Sequence, residues 1–315
     1  MAAAEFAERV TSEVRKAFLG QDEVVEQCLA AVLADGHVLV EGMPGLAKTL
    51  LARTLATTLG LAFGRVQFTP DLMPSDVTGT MVFDVKDAVF RVHKGPVFAA
   101  VLLADEVNRT PPKTQAALLE AMEERQVTIG DQSFALPYPF LVFATQNPIE
   151  TEGTYPLPEA QLDRFLMKIV IGYPPQEVET EVYRRYHGGF RAGRLAESGV
   201  TAVGAESSLR AAREEVAAIQ VDDKVLDYIY GLVSATRTHR DVMTGASPRA
   251  GLALLGCGKA IAAMRGRDFV IPDDVKELAV PVLRHRLLLK PEAEIEGLGP
   301  ADVLRQVIEA QQVPR

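Results

Sequence analysis

Cysteine, excess basic charge and long apolar runs are scarce or missing in this sequence of 315 residues. The two cysteines, Cys28 and Cys257, are far apart, and neither belongs to a Cys/His cluster with metal-ligand spacing. We therefore expect two reduced thiols in the hydrophobic core, as is usual for a cytoplasmic protein.

The charge balance is acidic, with 33 Lys and Arg residues against 42 Asp and Glu residues and a net charge of -9. Such a chain has no overall field that attracts nucleic-acid phosphates, although local basic patches stay possible. No stretch approaches the ~18 apolar residues of a membrane span, and residues 1–10 lack the apolar segment of a signal peptide. We expect a cytoplasmic protein without a membrane span, and the charge argues against nucleic acid as its partner.

The first half of the chain alternates apolar runs typical of strands with amphipathic segments typical of helices. The runs cover residues 37–41, 65–69, 101–104, 140–145 and 167–172. Near-continuous apolar strands separated by helices predict an α/β fold, in which helices cover both faces of a parallel sheet.

Turn signals divide the rest of the chain. Alternating patterns around Lys86-Asp87 and Gly130-Asp131 predict two β-hairpin insertions, at about residues 80–92 and 127–136. A Gly-rich segment without periodicity predicts a linker at 188–205, after an α/β core over 1–187. From 206 to 315 the sequence is helical throughout, at 209–219, 222–237, 247–264 and 272–289, which predicts a small all-helical second domain.

Residues 42–49 read Gly-Met-Pro-Gly-Leu-Ala-Lys-Thr, between a strand-like run and a helical run. This is the context of a P-loop, where main-chain N–H groups and a helix N-terminus present positive partial charge to phosphates. Lys48 would add a point charge, and Thr49 would offer its hydroxyl to Mg²⁺. The residues predicted to contact the nucleotide are Gly42, Met43, Pro44, Gly45, Leu46, Ala47, Lys48, Thr49 and Leu50.

Position 47 departs from the usual P-loop pattern, which has glycine where this chain has Ala47. A methyl group is expected to fit there only if the residue keeps a negative φ. Taken alone, this imperfect match also fits a glycine turn before a core helix.

A second motif favours the nucleotide site. Residues 101–106, Val-Leu-Leu-Ala-Asp-Glu, form a buried strand that ends in two carboxylates, as a Walker B motif does. Asp105 is expected to hold the Mg²⁺ shell, and Glu106 to orient and polarise the attacking water. The apolar run before Asn147 ends in an amide that could reach the γ-phosphate or the water, although Asn-Pro is also an ordinary turn signal.

These motifs resemble the MoxR family within the AAA+ superfamily. The resemblance is carried by residues 42–49, 105–124 and 144–148, and it continues through 162–165, 245–250, 266–267, 272–275 and 283–286. It implies a AAA+ core with a helical lid, a ring that is commonly hexameric, and ATP bound between subunits and hydrolysed to ADP. Alanine at position 47 matches the P-loop of that family.

The resemblance also implies roles for three further residues. Asn147 corresponds to sensor 1, Arg249 to the lid arginine called sensor 2, and Arg164 looks like the arginine finger offered to the nucleotide of the neighbour. Two alternatives stay open. In one, Arg249 is only a solvent-exposed residue at the start of a helix; in the other, Arg109 replaces Arg164 as the arginine finger. Whether Arg249 serves its own subunit or the adjacent one is also open.

An ordinary surface salt bridge to Asp163 or Glu159 is the alternative for Arg164. The segment 20–23 resembles the part of these ATPases that lies beside adenine, but a plain helix N-terminus explains it as well.

The resemblance implies an ATP-driven, chaperone-like remodeller of client proteins in metalloenzyme or complex maturation, often with von Willebrand factor A domains. One alternative is a nucleic-acid translocase, with Lys86, Arg91 and Lys94 of the first hairpin lining a pore. Another is a nucleotide-gated scaffold with little turnover.

Overall fold

The computed structural model describes residues 2–148 and 153–314, apart from the side chain of Ala196. The strands in these ranges are β1 (Val38–Gly42), β2 (Phe63–Gln67), β3 (Gly79–Asp84), β4 (Val89–Lys94), β5 (Val101–Asp105), β6 (Gln126–Ile129), β7 (Gln132–Ala135), β8 (Leu141–Gln146), β9 (Met167–Ile171), β10 (Val242–Thr244) and β11 (Leu288–Leu289). The α-helices are α1 (Ala2–Val14), α2 (Asp22–Leu33), α3 (Lys48–Thr58), α4 (Pro74–Thr78), α5 (Pro112–Glu124), α6 (Glu159–Leu162), α7 (Gln176–His187), α8 (Glu206–Ala218), α9 (Asp223–Thr238), α10 (Pro248–Met264), α11 (Pro272–Leu283), α12 (Pro291–Ile295) and α13 (Pro300–Ala310).

Five strands form one parallel sheet in the order β2-β5-β8-β1-β9. The interior strand β1 pairs with β8 on one side and with β9 on the other, so that Val38 lies beside both Phe143 and Met167. Because the strands are parallel, the loops that follow β1, β5 and β8 all open at the same edge of the sheet. The predicted parallel sheet is confirmed, with strand ends shifted by one or two residues.

Side chains from the two faces of the sheet enter two hydrophobic cores. On one face, Val40 and Leu103 pack with α1, α2, α3 and the C-terminal helices. On the other face, Leu39 and Leu102 pack with α5, Val77 of α4 and the second hairpin. Burial on both faces explains why the sequences of β1, β5 and β8 are apolar almost without alternation.

Two antiparallel hairpins project from the α/β core. β3 pairs with β4, and β6 pairs with β7. The ammonium of Lys94, at the base of the first hairpin, lies 4.7 Å from the ring centroid of Phe98 and 5.8 Å from that of Phe134 in the second. The two hairpins therefore pack against each other.

The C-terminal region is helical apart from one short antiparallel pair, β10 with β11. The single helix expected over 272–289 is wrong, since α11 ends at Leu283. There the chain turns so that His285 and Arg286 bond to the backbone around Phe165 of the core. α1 packs on the same region, and the Ala3 N–H donates to Glu215 of α8 at 3.1 Å. The domain division at 188–205 stays a prediction.

In residues 2–148 and 153–314 we find no helix whose length and hydropathy would let it cross a bilayer.

Candidate functional site

The loop between β1 and α3 forms a concave surface at the carboxyl edge of the sheet. Gly45 and Ala47 both have left-handed backbone, with φ of +86° and +59°. A Cβ placed on Gly45 would meet no atom within 4 Å, so the loop borders open space. Lys48 Nζ donates to the carbonyls of Gly42 and, at 3.3 Å, Gln146, which places the ammonium across the mouth of the loop. The main-chain N–H groups of a loop before a helix, together with an adjacent cation, suit an anion.

The expectation of a negative φ at Ala47 is wrong. Ala47 is the residue before α3, and its carbonyl accepts the first hydrogen bond of that helix, from Leu51 N at 2.9 Å, with its backbone left-handed. A left-handed non-glycine residue costs about 1–3 kcal/mol, and alanine is the smallest residue that bears this strain.

Asp105 and Thr49 provide oxygen atoms at the end of the loop. Asp105 is 7% exposed, and its Oδ2 lies 3.4 Å from Thr49 Oγ1. The guanidinium of Arg65 donates to the same Oδ2 at 2.7 and 3.2 Å. A carboxylate oxygen and a hydroxyl oxygen side by side are ligands of the kind that Mg²⁺ prefers. The residues therefore fit the metal.

Glu106 follows in left-handed backbone, with φ of +59°. Its N–H donates to Thr145 Oγ1 at 2.8 Å. Its Oε2 accepts from Gln67 Nε2 at 2.8 Å and from Arg109 at 3.1 Å. The side chain is thus fixed beside Asp105 by residues of β2 and of the turn after β5.

Thr145 of β8 joins the two acids. Its hydroxyl donates to Asp105 Oδ1 at 2.7 Å while it accepts from the Glu106 N–H. Asn147 follows two residues later, 5% exposed, at the same edge of the sheet. The structure therefore brings together Lys48, Thr49, Asp105, Glu106 and Asn147.

Sequence reasoning missed Arg65, Gln67 and Thr145 as members of this site. Thr145 lies within the motif around Asn147, and that was the available signal. No sequence signal pointed to Arg65 and Gln67, because only the pairing of β2 with β5 brings them beside the two acids.

A cavity of about 440 Å³ adjoins the P-loop. Phe18, Leu46, Val178 and Tyr183 contribute to its apolar lining, and Gln21 also borders it. Its volume and lining are typical of a small-molecule site. The segment that includes Gln21 thus borders a cavity beside the P-loop.

Arg164 and Arg249 lie at the opposite edge of the sheet. Arg164 precedes β9, and the neighbouring Leu166 N donates to His37 O, just before β1, at 2.8 Å. The length of β1, about 13 Å at ~3.3 Å per residue, separates this edge from the P-loop of the same chain. Arg164 and Arg249 both pair with Glu123, at 2.9 and 3.1 Å.

The salt-bridge alternative predicted Asp163 or Glu159 as the partner of Arg164. That prediction is wrong, because Arg164 pairs with Glu123. Asp163 instead accepts from Arg286 at 2.7 Å and from Ser247 at 3.0 Å, because the lid approaches it from the other side. Arg109 pairs with Glu106 of its own chain. A cavity of about 380 Å³ lies beside Arg164 and Arg249.

Comparison with known proteins identifies the family. The ATPase family associated with various cellular activities (AAA) matches residues 37–167, and the AAA lid domain matches residues 234–307. Chaperone MoxR1 of Mycobacterium tuberculosis is 45% identical over 98% of this chain and 82% of its own length. Protein MoxR of Methylorubrum extorquens is 32% identical over 98% of this chain and 95% of its own. The chain belongs to the MoxR family of AAA+ ATPases.

A crystal structure of a presumed ATPase from Cytophaga hutchinsonii has the same fold as this MoxR-family chain. It superposes with a TM-score of 0.91 at 42% identity, covering 100% of this chain and 97% of the other. The AAA match contains the P-loop, both acids, Asn147 and Arg164, and the lid match contains Arg249.

Proposed function

We propose that this MoxR-family chain hydrolyses ATP with Mg²⁺ in a ring, with each nucleotide held between two copies. The P-loop amides and Lys48 would bind the phosphates, with Thr49 and Asp105 as the metal ligands. Lys48 would exchange the Gly42 and Gln146 carbonyls for phosphate oxygens. Arg65 donates to the same Asp105 oxygen that faces Thr49, so it would compete with Mg²⁺ for that carboxylate. Mg²⁺, when bound, would neutralise charge on the phosphate oxygens.

Glu106 would orient the attacking water and polarise it. Gln67 and Arg109 hold its carboxylate, and Thr145 holds its backbone, so the side chain keeps its direction without rearrangement. Asn147 would contact the γ-phosphate or the water from the end of β8.

The separation of Arg164 and Arg249 from Lys48 supports the shared site most directly. Two cations at the opposite edge of the sheet cannot reach the phosphates of their own chain, so we propose that both act in trans. An arginine finger contributes about 10³–10⁵ in kcat. We propose a hexamer, as is common in the family.

Subunit mixing tests this arrangement. Glu106→Gln should bind ATP without hydrolysing it, and Arg164→Ala should bind ATP but lose turnover. A mixture of the two should regain activity, because intact Glu106 and Arg164 then meet at some interfaces. Arg240→Ala, which removes an exposed lid arginine at 85% side-chain exposure, is the control and should resemble the parent. Absence of activity in the mixture would refute action in trans.

We further propose that the ring remodels client proteins in the cytoplasm, with von Willebrand factor A domains as a client class. A relative carrying the name chaperone supports this proposal. Glu106→Gln with ATP should hold the client-bound state, and purified von Willebrand factor A domains should then bind to it more tightly than to the ADP form.

The nucleic-acid alternative has weaker support. Arg91 is neutralised by Asp84 and Asp87, and Lys94 packs over Phe98. Two of the three basic side chains that this alternative places in the pore thus have partners within the protein. Binding of DNA with a steep negative salt dependence would reverse this view.

A further inference from the structure

Glu123 joins two arginines that come from different parts of the fold. Its Oε2 pairs with Arg164 at 2.9 Å, and its Oε1 pairs with Arg249 at 3.1 Å. Arg164 belongs to the segment before β9 of the core, whereas Arg249 lies in the first turn of α10 in the lid. One carboxylate therefore fixes the relative position of both guanidinium groups.

The position of Glu123 is unfavourable for the helix that carries it. Glu120, Glu123 and Glu124 occupy the end of α5, which has no basic residue in its last turn. Carboxylates at a helix C-terminus face the negative end of the helix dipole. The cations that offset this charge at Glu123 are Arg164 and Arg249.

The backbone beside Arg164 is held independently of Glu123. Ser247 and Arg286 of the lid bind the side chain of Asp163, and His285 Nε2 lies 3.0 Å from Phe165 O. Loss of Glu123 would thus leave the segment in place. It would free the ends of two side chains that are 29% and 59% exposed.

We propose that Glu123 is a positioning residue for the shared ATP site, an inference that rests on the proposed action of Arg164 and Arg249 in trans. Two guanidinium groups repel each other, and the carboxylate between them offsets that repulsion. The trio keeps one net positive charge for the phosphates of the neighbouring subunit. Both cations then meet those phosphates together.

Substitution of Glu123 separates this role from a general loss of charge. Glu123→Ala should lower kcat of the assembled protein roughly 10-fold to 100-fold, since loss of fixed orientation has costs of that size. ATP binding by isolated subunits should not change. Glu124→Ala, which removes the same charge one residue further along α5, is the matched control and should keep the parental kcat.

Glu123→Gln keeps the size of the side chain but offers one oxygen acceptor to two arginines, so its kcat should fall between those of the parent and Glu123→Ala. It also replaces Glu123→Ala in every assay if that variant does not fold. A kcat at or above the parental value in Glu123→Gln would overturn the proposal.

Mixing distinguishes a positioning role from damage to the fold. Glu123→Ala subunits keep their own P-loop, and Glu106→Gln subunits keep an intact Glu123 with both arginines, so the mixture should recover turnover. No recovery would overturn the proposal. Arg164→Ala serves as the reference in the same assay. If Arg164→Ala loses turnover while Glu123→Ala does not, the role of Glu123 fails alone; if Arg164→Ala is fully active, the shared site itself fails.

Discussion

Replacement of Thr145 by valine should weaken both the fold and the metal site while preserving the shape of the side chain. Thr145 is fully buried. Its hydroxyl donates to Asp105 Oδ1 at 2.7 Å and accepts from the Glu106 N–H at 2.8 Å. Valine can do neither, so a buried carboxylate loses a donor and a backbone N–H loses its acceptor.

The magnitude follows from these two bonds. A hydrogen bond to a charged group contributes about 1.5–3 kcal/mol and a neutral one about 0.5–1.5 kcal/mol, so the unfolding free energy should fall by about 2–4 kcal/mol. The midpoint of thermal unfolding should then fall by about 3–6 °C. Because the Asp105 carboxylate loses the hydrogen bond that fixes its orientation, Mg²⁺ affinity in the presence of nucleotide should weaken about 10-fold to 100-fold.

Thermal unfolding and Mg²⁺ titration with a fluorescent ATP analogue measure the two effects. Thr145→Ser keeps the hydroxyl and should retain most of the Mg²⁺ affinity. Thr54→Val makes the same substitution at a fully buried threonine whose hydroxyl has no hydrogen-bond partner in the part of the chain that the structure describes. It should therefore cost little stability. Parental stability and Mg²⁺ affinity in Thr145→Val would refute the reasoning.

Three other substitutions or conditions test the remaining parts of the structure. Lys48→Ala should abolish saturable ATP binding, because it removes the ammonium that lies across the P-loop; retained binding would exclude the site. Ala47→Val should weaken ATP binding about 10-fold or more, since a β-branched residue strains left-handed backbone, whereas Ala47→Gly should bind like the parent. Burial lowers the pKa of His37 to about 4 from the ordinary 6.5. As the pH falls, His37 of the unfolded chain is therefore protonated before His37 of the folded chain. Chemical denaturation should show the unfolding free energy falling between pH 6.5 and 4, by up to about 3 kcal/mol from His37, and less steeply in His37→Gln.

The P-loop and the paired acids were predictable because their chemistry is local. A phosphate-binding loop needs its glycines, lysine and hydroxyl within eight residues, and the two acids adjoin each other at the end of one strand. Apolar runs likewise predicted the five strands, since a parallel sheet buries both faces of its interior strands. The φ of Ala47 was mispredicted because the steric rule for alanine takes no account of the loop that leads into α3.

Other features depend on pairings between distant segments. Arg65 and Gln67 reach Asp105 and Glu106 only because β2 lies beside β5. Thr145 reaches them from the other side, because β8 is the second neighbour of β5. The strand order that produces both contacts is set by packing of helices on the sheet, and no local pattern encodes it.

The amino-acid sequence by itself therefore determined the family, the α/β class and the composition of the phosphate-binding motif, since each rests on residues close together in the chain. Tertiary structure alone decided that Arg164 and Arg249 meet at Glu123, at the sheet edge opposite the P-loop. The physical reason is that the parallel strands carry their preceding and following loops to opposite edges, while the lid folds back to bring α10 to one of them.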